Sequence, residues 1–142
     1  VRYLHEECGI MHGDLHTDNW LLRENYEIVI GDFGCAKVLG HNGKVEVGTV
    51  NYYFEPHSPP EMQCEHRKTK EEFSFNGDTW QLGFAFQAML NQGHWYRPTP
   101  STHGQDVVDL IAYMHTKDKR LRPQMAEVVQ RIGQILEDFE AE

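Results

Sequence analysis

Apolar residues recur at helical spacing in four main stretches of this chain and at strand spacing in one. Val1, Leu4 and Cys8 share one face of an opening helix that Gly9 stops. From Thr79 to Leu90 the run Trp80, Leu82, Phe84, Ala85, Phe86, Ala88, Met89 and Leu90 is apolar nearly all round. That pattern predicts a buried helix, with Asn76 or Asp78 as its cap. Gln105 to His115 is amphipathic through Val107, Val108, Leu110, Ile111 and Met114. Pro123 suits the first turn of a final helix with Met125, Val128, Val129, Ile132, Ile135, Leu136 and Phe139 on one side. The acidic end of that helix is expected to fray.

Trp20 to Leu22 and Glu27 to Ile30 read as two short strands, with Arg23 to Tyr26 as the hairpin turn. This ribbon sets Asn19 just before one strand and Asp32 just after the other, at the same end. Residues 10–19 read as a loop. Residues 35–58, with Gly40, Gly43, Gly48 and Pro56, read as a long loop, followed by a short helix from Pro60 to Cys64. Lys68 to Glu72 is a charged surface stretch, and Gly93 to Gly104, with Pro98 and Pro100, is another loop. The fold class is therefore mainly α with one small β-ribbon, and its long loops are natural places for a site. Neither an internal repeat nor a low-complexity segment interrupts the pattern.

A chain of 142 residues is one domain by length, and 39% hydrophobic with 25% charged residues is an ordinary soluble composition. The net charge of −9 argues against nucleic-acid binding, which needs a basic face. It fits a solvated acidic surface better than a preference for basic peptides. Cys8, Cys35 and Cys64 are odd in number and not spaced as a disulfide framework, which points to a reducing compartment. With no apolar run of about 18 residues and no signal-peptide pattern, a cytoplasmic location is expected. None of the nine histidines stands in a ligand spacing such as H-E-x-x-H, and Cys64-Glu65-His66 lacks partners, so structural zinc is not expected. The chain opens at Val1 inside an apparent helix, which reads as part of a longer protein.

The chemistry concentrates in His12-Gly13-Asp14-Leu15-His16-Thr17-Asp18-Asn19 and Asp32-Phe33-Gly34. A carboxylate at 14, an amide five residues later and a second carboxylate thirteen after that suit phosphoryl transfer. Asp14 can accept a hydroxyl proton, while Asn19 and Asp32 can hold Mg²⁺ on ATP. The plain alternative is a loop aspartate bonding its own turn, and the spacing to Asn19 weighs against it.

These residues resemble the C-terminal, large lobe of a protein kinase over nearly the whole chain. Residues 12–19 resemble the catalytic loop H-R-D-L-x-x-x-N, and residues 32–34 the metal-binding D-F-G. Gly48, Thr49 and Tyr52 resemble the G-T-x-x-Y of the substrate loop. Ser58-Pro59-Pro60-Glu61 resembles A-P-E, Asp78-Thr79-Trp80-Gln81-Leu82-Gly83 resembles D-x-W-x-L-G, and Arg122-Pro123 resembles the R-P that opens the last helix.

The resemblance implies a protein kinase transferring the γ-phosphate of ATP to a protein hydroxyl, Ser/Thr in preference to Tyr, with ATP and Mg²⁺ as cofactors. It makes Asp14 the catalytic base, with His16 and Asn19 beside it in the catalytic loop. Asn19 and Asp32 become metal ligands, and Leu21, Asp32, Phe33 and Gly34 form part of the nucleotide site. Leu21 would be a floor under adenine, although a core strand position is an equal reading of its neighbours Trp20 and Leu22. Phe33 would pack on His12, and Gly34 would give backbone freedom beside the metal ligand. Glu61 and Arg122 would pair, and Asp78 would hold the catalytic loop from below.

Departures from the family pattern also carry expectations. A Gly-rich phosphate loop, its lysine partner and a hinge are not in this sequence, so the chain by itself is expected to bind Mg-ATP very weakly. Gly13 replaces the arginine that reads an activation-loop phosphate, which argues against that switch. His16 replaces the usual lysine of Ser/Thr kinases. Residues 53–58 look inserted, and the stretch from Asn91 to Gly104 is short for the family's partner-docking helix. Two other functions compete: a non-catalytic lobe that docks on a kinase or substrate, and an aminoglycoside- or choline-type phosphotransferase, for which Gly13 and His16 speak.

Overall fold

The computed structural model describes residues 1–40, 45–47, 57–62, 73–92 and 102–141. The opening helix α1 (Arg2–Glu6) ends at Gly9, whose φ of +63° turns the chain into β1 (Ile10–Met11). The ribbon β2 (Trp20–Leu22) and β3 (Ile28–Ile30) pairs antiparallel, Trp20 opposite Ile30 and Leu22 opposite Ile28. Its turn closes through Tyr26 N–H on Arg23 C=O at 2.9 Å, with Tyr26 at φ +64°.

The predicted loop over 35–58 contains two strands, β4 (Lys37–Leu39) and β5 (Val45–Val47). With β1 they form a second antiparallel sheet in the order β1-β4-β5. β1 itself lies inside the predicted 10–19 loop. Each strand is two or three residues long, too short to show periodicity, and exists because its partner supplies the backbone hydrogen bonds.

Helix α2 (Phe75–Gln92), expected to be buried, leaves Phe84 and Met89 exposed, and it starts four residues before its apolar run, so Asn76 and Asp78 lie within its first turn and neither is its cap. α3 spans Thr102–Met114 and α4 spans Met125–Glu140, its acidic end still helical. Pro123 falls two residues before α4, where a missing N–H and a fixed φ do no harm. The described part of the predicted Pro60–Cys64 helix, Pro60–Met62, is a 3₁₀ turn.

Leu82, Leu110, Met114, Met125 and Val128 form the main core where α2, α3 and α4 meet, and Trp20 packs against it from the ribbon. Met11, Leu39, Val45 and Phe73 form a second core under the three-stranded sheet. Gly83 marks the closest approach of α2 to α3: a Cβ there would stand 2.9 Å from Met114 Cβ. The architecture is thus mainly helical with two small antiparallel sheets, and the loop between β1 and β2 lies over α2. Among the described residues no helix is long and apolar enough to cross a membrane.

Candidate active site

The loop between β1 and β2 is held by side chains that rise from the first turns of α2. Asp78 is fully buried. Its Oδ2 accepts from His12 N–H at 2.8 Å and from His5 Nε2 at 2.7 Å, and its Oδ1 accepts from Gly13 N–H at 2.8 Å. Gln81, nearly one turn further on, accepts from Leu15 N–H at 3.0 Å and donates to Gly13 C=O at 3.0 Å. Five backbone and side-chain groups around the loop are thereby satisfied from two helix positions three residues apart, which share a helix face. Gln81 and His5 escaped the sequence reading. The i, i+3 spacing of Asp78 and Gln81 was the available signal.

His12 is fully buried and lies under Phe33, ring centroids 4.9 Å apart. Its Nε2 donates to Gly31 C=O at 2.9 Å, and its Nδ1 accepts from Asp14 N–H at 3.3 Å, which fixes the tautomer. Gly13 has a φ of +82°, and a Cβ there would stand 2.9 Å from the Cys35 carbonyl oxygen. Glycine is therefore required by both backbone angle and space where the family carries arginine.

Asp14 sits half-buried at the mouth of a cleft of about 530 Å³ that Asp18, Asp32, Gly34 and Cys35 also line. Asn19 Nδ2 donates to Asp14 C=O at 2.9 Å and to Asp14 Oδ2 at 3.1 Å. His57 Nε2 stands 3.0 Å from Asp14 Oδ1, and His16 Nε2 stands 3.5 Å from Oδ2. Burial opposes ionisation of Asp14. The hydrogen bond from His57, the charge of His16 when protonated and the hydrogen bond from Asn19 outweigh it and hold the carboxyl below the usual aspartate range. Local sequence gave no sign of His57, because 43 residues separate it from Asp14.

The ribbon brings the second carboxylate to the same end. Gly31 N–H donates to Asn19 C=O at 2.8 Å, one step beyond the Trp20–Ile30 pair. Asp32 then adopts φ +53°, an angle aspartate tolerates through local hydrogen bonding, here to Gly34 N–H at 3.1 Å. The strained backbone thus belongs to Asp32 and not to Gly34, as the sequence suggested. Gly34 matters for space: a Cβ there would stand 3.1 Å from Asp32 Oδ1.

Leu21, Leu22 and Phe33 are 58%, 66% and 47% exposed, so Leu22 is not a core residue. Leu21 and Leu22, adjacent in β2, open on opposite faces of the ribbon. Arg122 is buried and makes a bidentate pair with Glu61, both N–O distances 2.6 Å. It also donates to Thr116, Asn76 and Lys117 carbonyls and stacks over Trp80. Lys37, buried in β4, donates to Cys35 C=O at 2.8 Å, and burial pushes its ammonium below the usual lysine range. Gly48, Thr49 and Tyr52 lie outside the described residues, as do Cys64 and residues 53–56.

Comparison with known proteins gives a consistent picture. The family model described as "Protein kinase domain" matches residues 1–132. Human "Serine/threonine-protein kinase Nek10" is 27% identical over 156 aligned residues, covering 96% of this chain and 12% of the relative. "Serine/threonine-protein kinase CHK1" of Saccharomyces cerevisiae is 31% identical over 114 residues, covering 78% of this chain and 20% of that protein. Mouse "Serine/threonine-protein kinase PLK2" is 29% identical over 148 residues, covering 91% of the chain and 20% of the relative. The chain thus spans between an eighth and a fifth of these relatives.

Proposed function

This chain belongs to the protein kinase domain family, and from that premise we propose that it is the C-terminal lobe of a protein kinase acting on Ser/Thr hydroxyls. The observation that carries the reading is the shared cleft of Asp14 and Asp32, with Asn19 anchored between loop and ribbon. The Ser/Thr preference follows the relatives, all serine/threonine-protein kinases by name, which also favour a protein acceptor over a small molecule.

The residues present fit Mg²⁺ and a nucleotide. Asn19 commits Nδ2 to Asp14, which turns Oδ1 away as an oxygen donor. Asp32 adds a carboxylate, and hard oxygen ligands of this kind suit Mg²⁺. Exposed Leu21 and Phe33 offer an apolar face for a base. Bound Mg-ATP would supply the transferable phosphoryl group and neutralise its charge. Asp14 orients the acceptor hydroxyl and takes its proton, a role that requires an ionised carboxylate, and its surroundings keep it ionised at neutral pH. The acceptor hydroxyl replaces His57 at Oδ1. Asp78 and Gln81 fix the loop so that Asp14 and Asn19 need not reorganise during transfer.

Labelled-phosphate transfer to a Ser/Thr peptide library and to small alcohols and aminoglycosides, using the longest natural protein that carries these residues, tests the reading. Asp14→Asn is expected to lower the rate by about 10²–10⁴-fold. Transfer to small molecules alone, or no effect of Asp14→Asn, would overturn it.

A further inference from the structure

Asp14, His16 and His57 present one carboxylate oxygen and two imidazole nitrogens within 4.8 Å of one another. Donors held tetrahedrally at 2.0–2.1 Å from a zinc ion lie about 3.3 Å apart. Here each imidazole stands at about that spacing from a different carboxylate oxygen, Asp14 Oδ1 to His57 Nε2 at 3.0 Å and Asp14 Oδ2 to His16 Nε2 at 3.5 Å, and a set built on one oxygen has to close from separations of no more than 4.8 Å. The two imidazole rings lie 4.8 Å apart, centroid to centroid. From this geometry we infer a binding site for a nitrogen-preferring divalent cation, Zn²⁺ above all, with Asp14, His16 and His57 as ligands and a fourth position open to the cleft.

Three features of the site support this assignment. Asn19 Nδ2 lies 3.1 Å from His16 Nε2, which places that ring nitrogen on the Asp14 side of the loop. The other two contacts of Asn19, to Asp14 C=O and Oδ2, orient the carboxylate as an outer-sphere partner does in zinc proteins. His57 Nε2 lies 3.0 Å from Asp14 Oδ1, so the nitrogen that would bind the cation is already aimed at the carboxylate.

The inferred site differs in chemistry from the Mg²⁺ position proposed above. Asn19 and Asp32 offer oxygens alone, and Asp14, His16 and His57 offer a nitrogen-rich set. Mg²⁺ favours the first and Zn²⁺ the second. A cation on the second occupies the carboxylate that would receive the acceptor proton. Zinc is therefore an inhibitor of transfer, a consequence that rests on the function proposed above, whereas the binding itself does not.

Metal-free protein titrated with ZnCl₂ in a large excess of Mg²⁺ is expected to bind one Zn²⁺ per chain by calorimetry. His16→Ala and His57→Ala should each weaken binding by about 10- to 100-fold or more. X-ray absorption of the wild-type zinc form keeps the test independent of whether the variants fold. Imidazole nitrogens at about 2.0–2.1 Å support the site, and thiolate sulfur at about 2.3 Å overturns it. Unchanged affinity in both folded variants, or displacement of zinc by Mg²⁺, also overturns it. In protein that transfers phosphate, zinc should inhibit, a chelator should restore the rate, and His57→Ala should need at least about tenfold more zinc. Loss of transfer for other reasons leaves the calorimetric and absorption results standing, so the two readings fail separately.

Discussion

Asp78 accepts three hydrogen bonds with two oxygens, and that count sets what its replacement does. Asp78→Ala strands two buried N–H groups and an imidazole, so a loss on the order of 3 kcal/mol or more is expected in urea unfolding. Asp78→Asn keeps the shape but turns an NH₂ towards one of the donors, and should cost about 1–3 kcal/mol. At Asp14 the environment works through charge. Its folded carboxyl titrates below the ordinary range despite partial burial, because His57, His16 and Asn19 favour the ionised form. A depressed carboxyl contributes stability at pH values above its unfolded value, near 3.9, and that share is lost as pH falls through the folded value. The Asp14 share of the urea midpoint should therefore be lost as pH falls from about 5 to below about 3, and Asp14→Asn should remove that share.

Packing of elements gives two glycines of the same helical setting opposite roles. In α2, Gly83 lets α3 approach, and a Cβ would meet Met114 Cβ at 2.9 Å. In α4, a Cβ at Gly133 meets nothing within 4 Å. Gly133→Ala should stabilise by about 1 kcal/mol through helix propensity alone. Gly83→Ala gains the same propensity but overpacks the core, and should lower stability by about 1–3 kcal/mol, measured by thermal unfolding. Arg122 ties the 3₁₀ turn at Glu61 to the segment before α4 with a fully buried side chain. Arg122→Ala leaves Glu61 without its partner and should cost about 3–5 kcal/mol in the same assay. The three long helices were legible because each runs for several turns of apolar period. Strands β1, β4 and β5 were not, because two or three residues carry no period and their pairing is non-local.

At the scale of the molecule, Leu21 and Phe33, the residues proposed to meet the base, are 58% and 47% exposed. A nucleotide held from that side alone has few contacts. Mg-ATP should therefore leave the melting temperature of the 142-residue chain, expressed alone, nearly unchanged, and should raise that of a longer natural protein by a few degrees, roughly what binding well above Kd gives. A shift of that size in the short chain would overturn the expectation. The sequence by itself determined the helical frame, the ribbon that aligns Asn19 with Asp32, and the ordered motifs of a protein kinase, because these depend on short spacings along the chain. The tertiary structure alone decided that Gly13 has no room for a side chain, that Gln81 and His5 share the work of Asp78, and that His57 meets Asp14. Each of these arises from residues tens of positions apart, which only the fold brings together: α2 carries Asp78 and Gln81 under the loop, and the chain beyond the ribbon returns Cys35 and His57 to it.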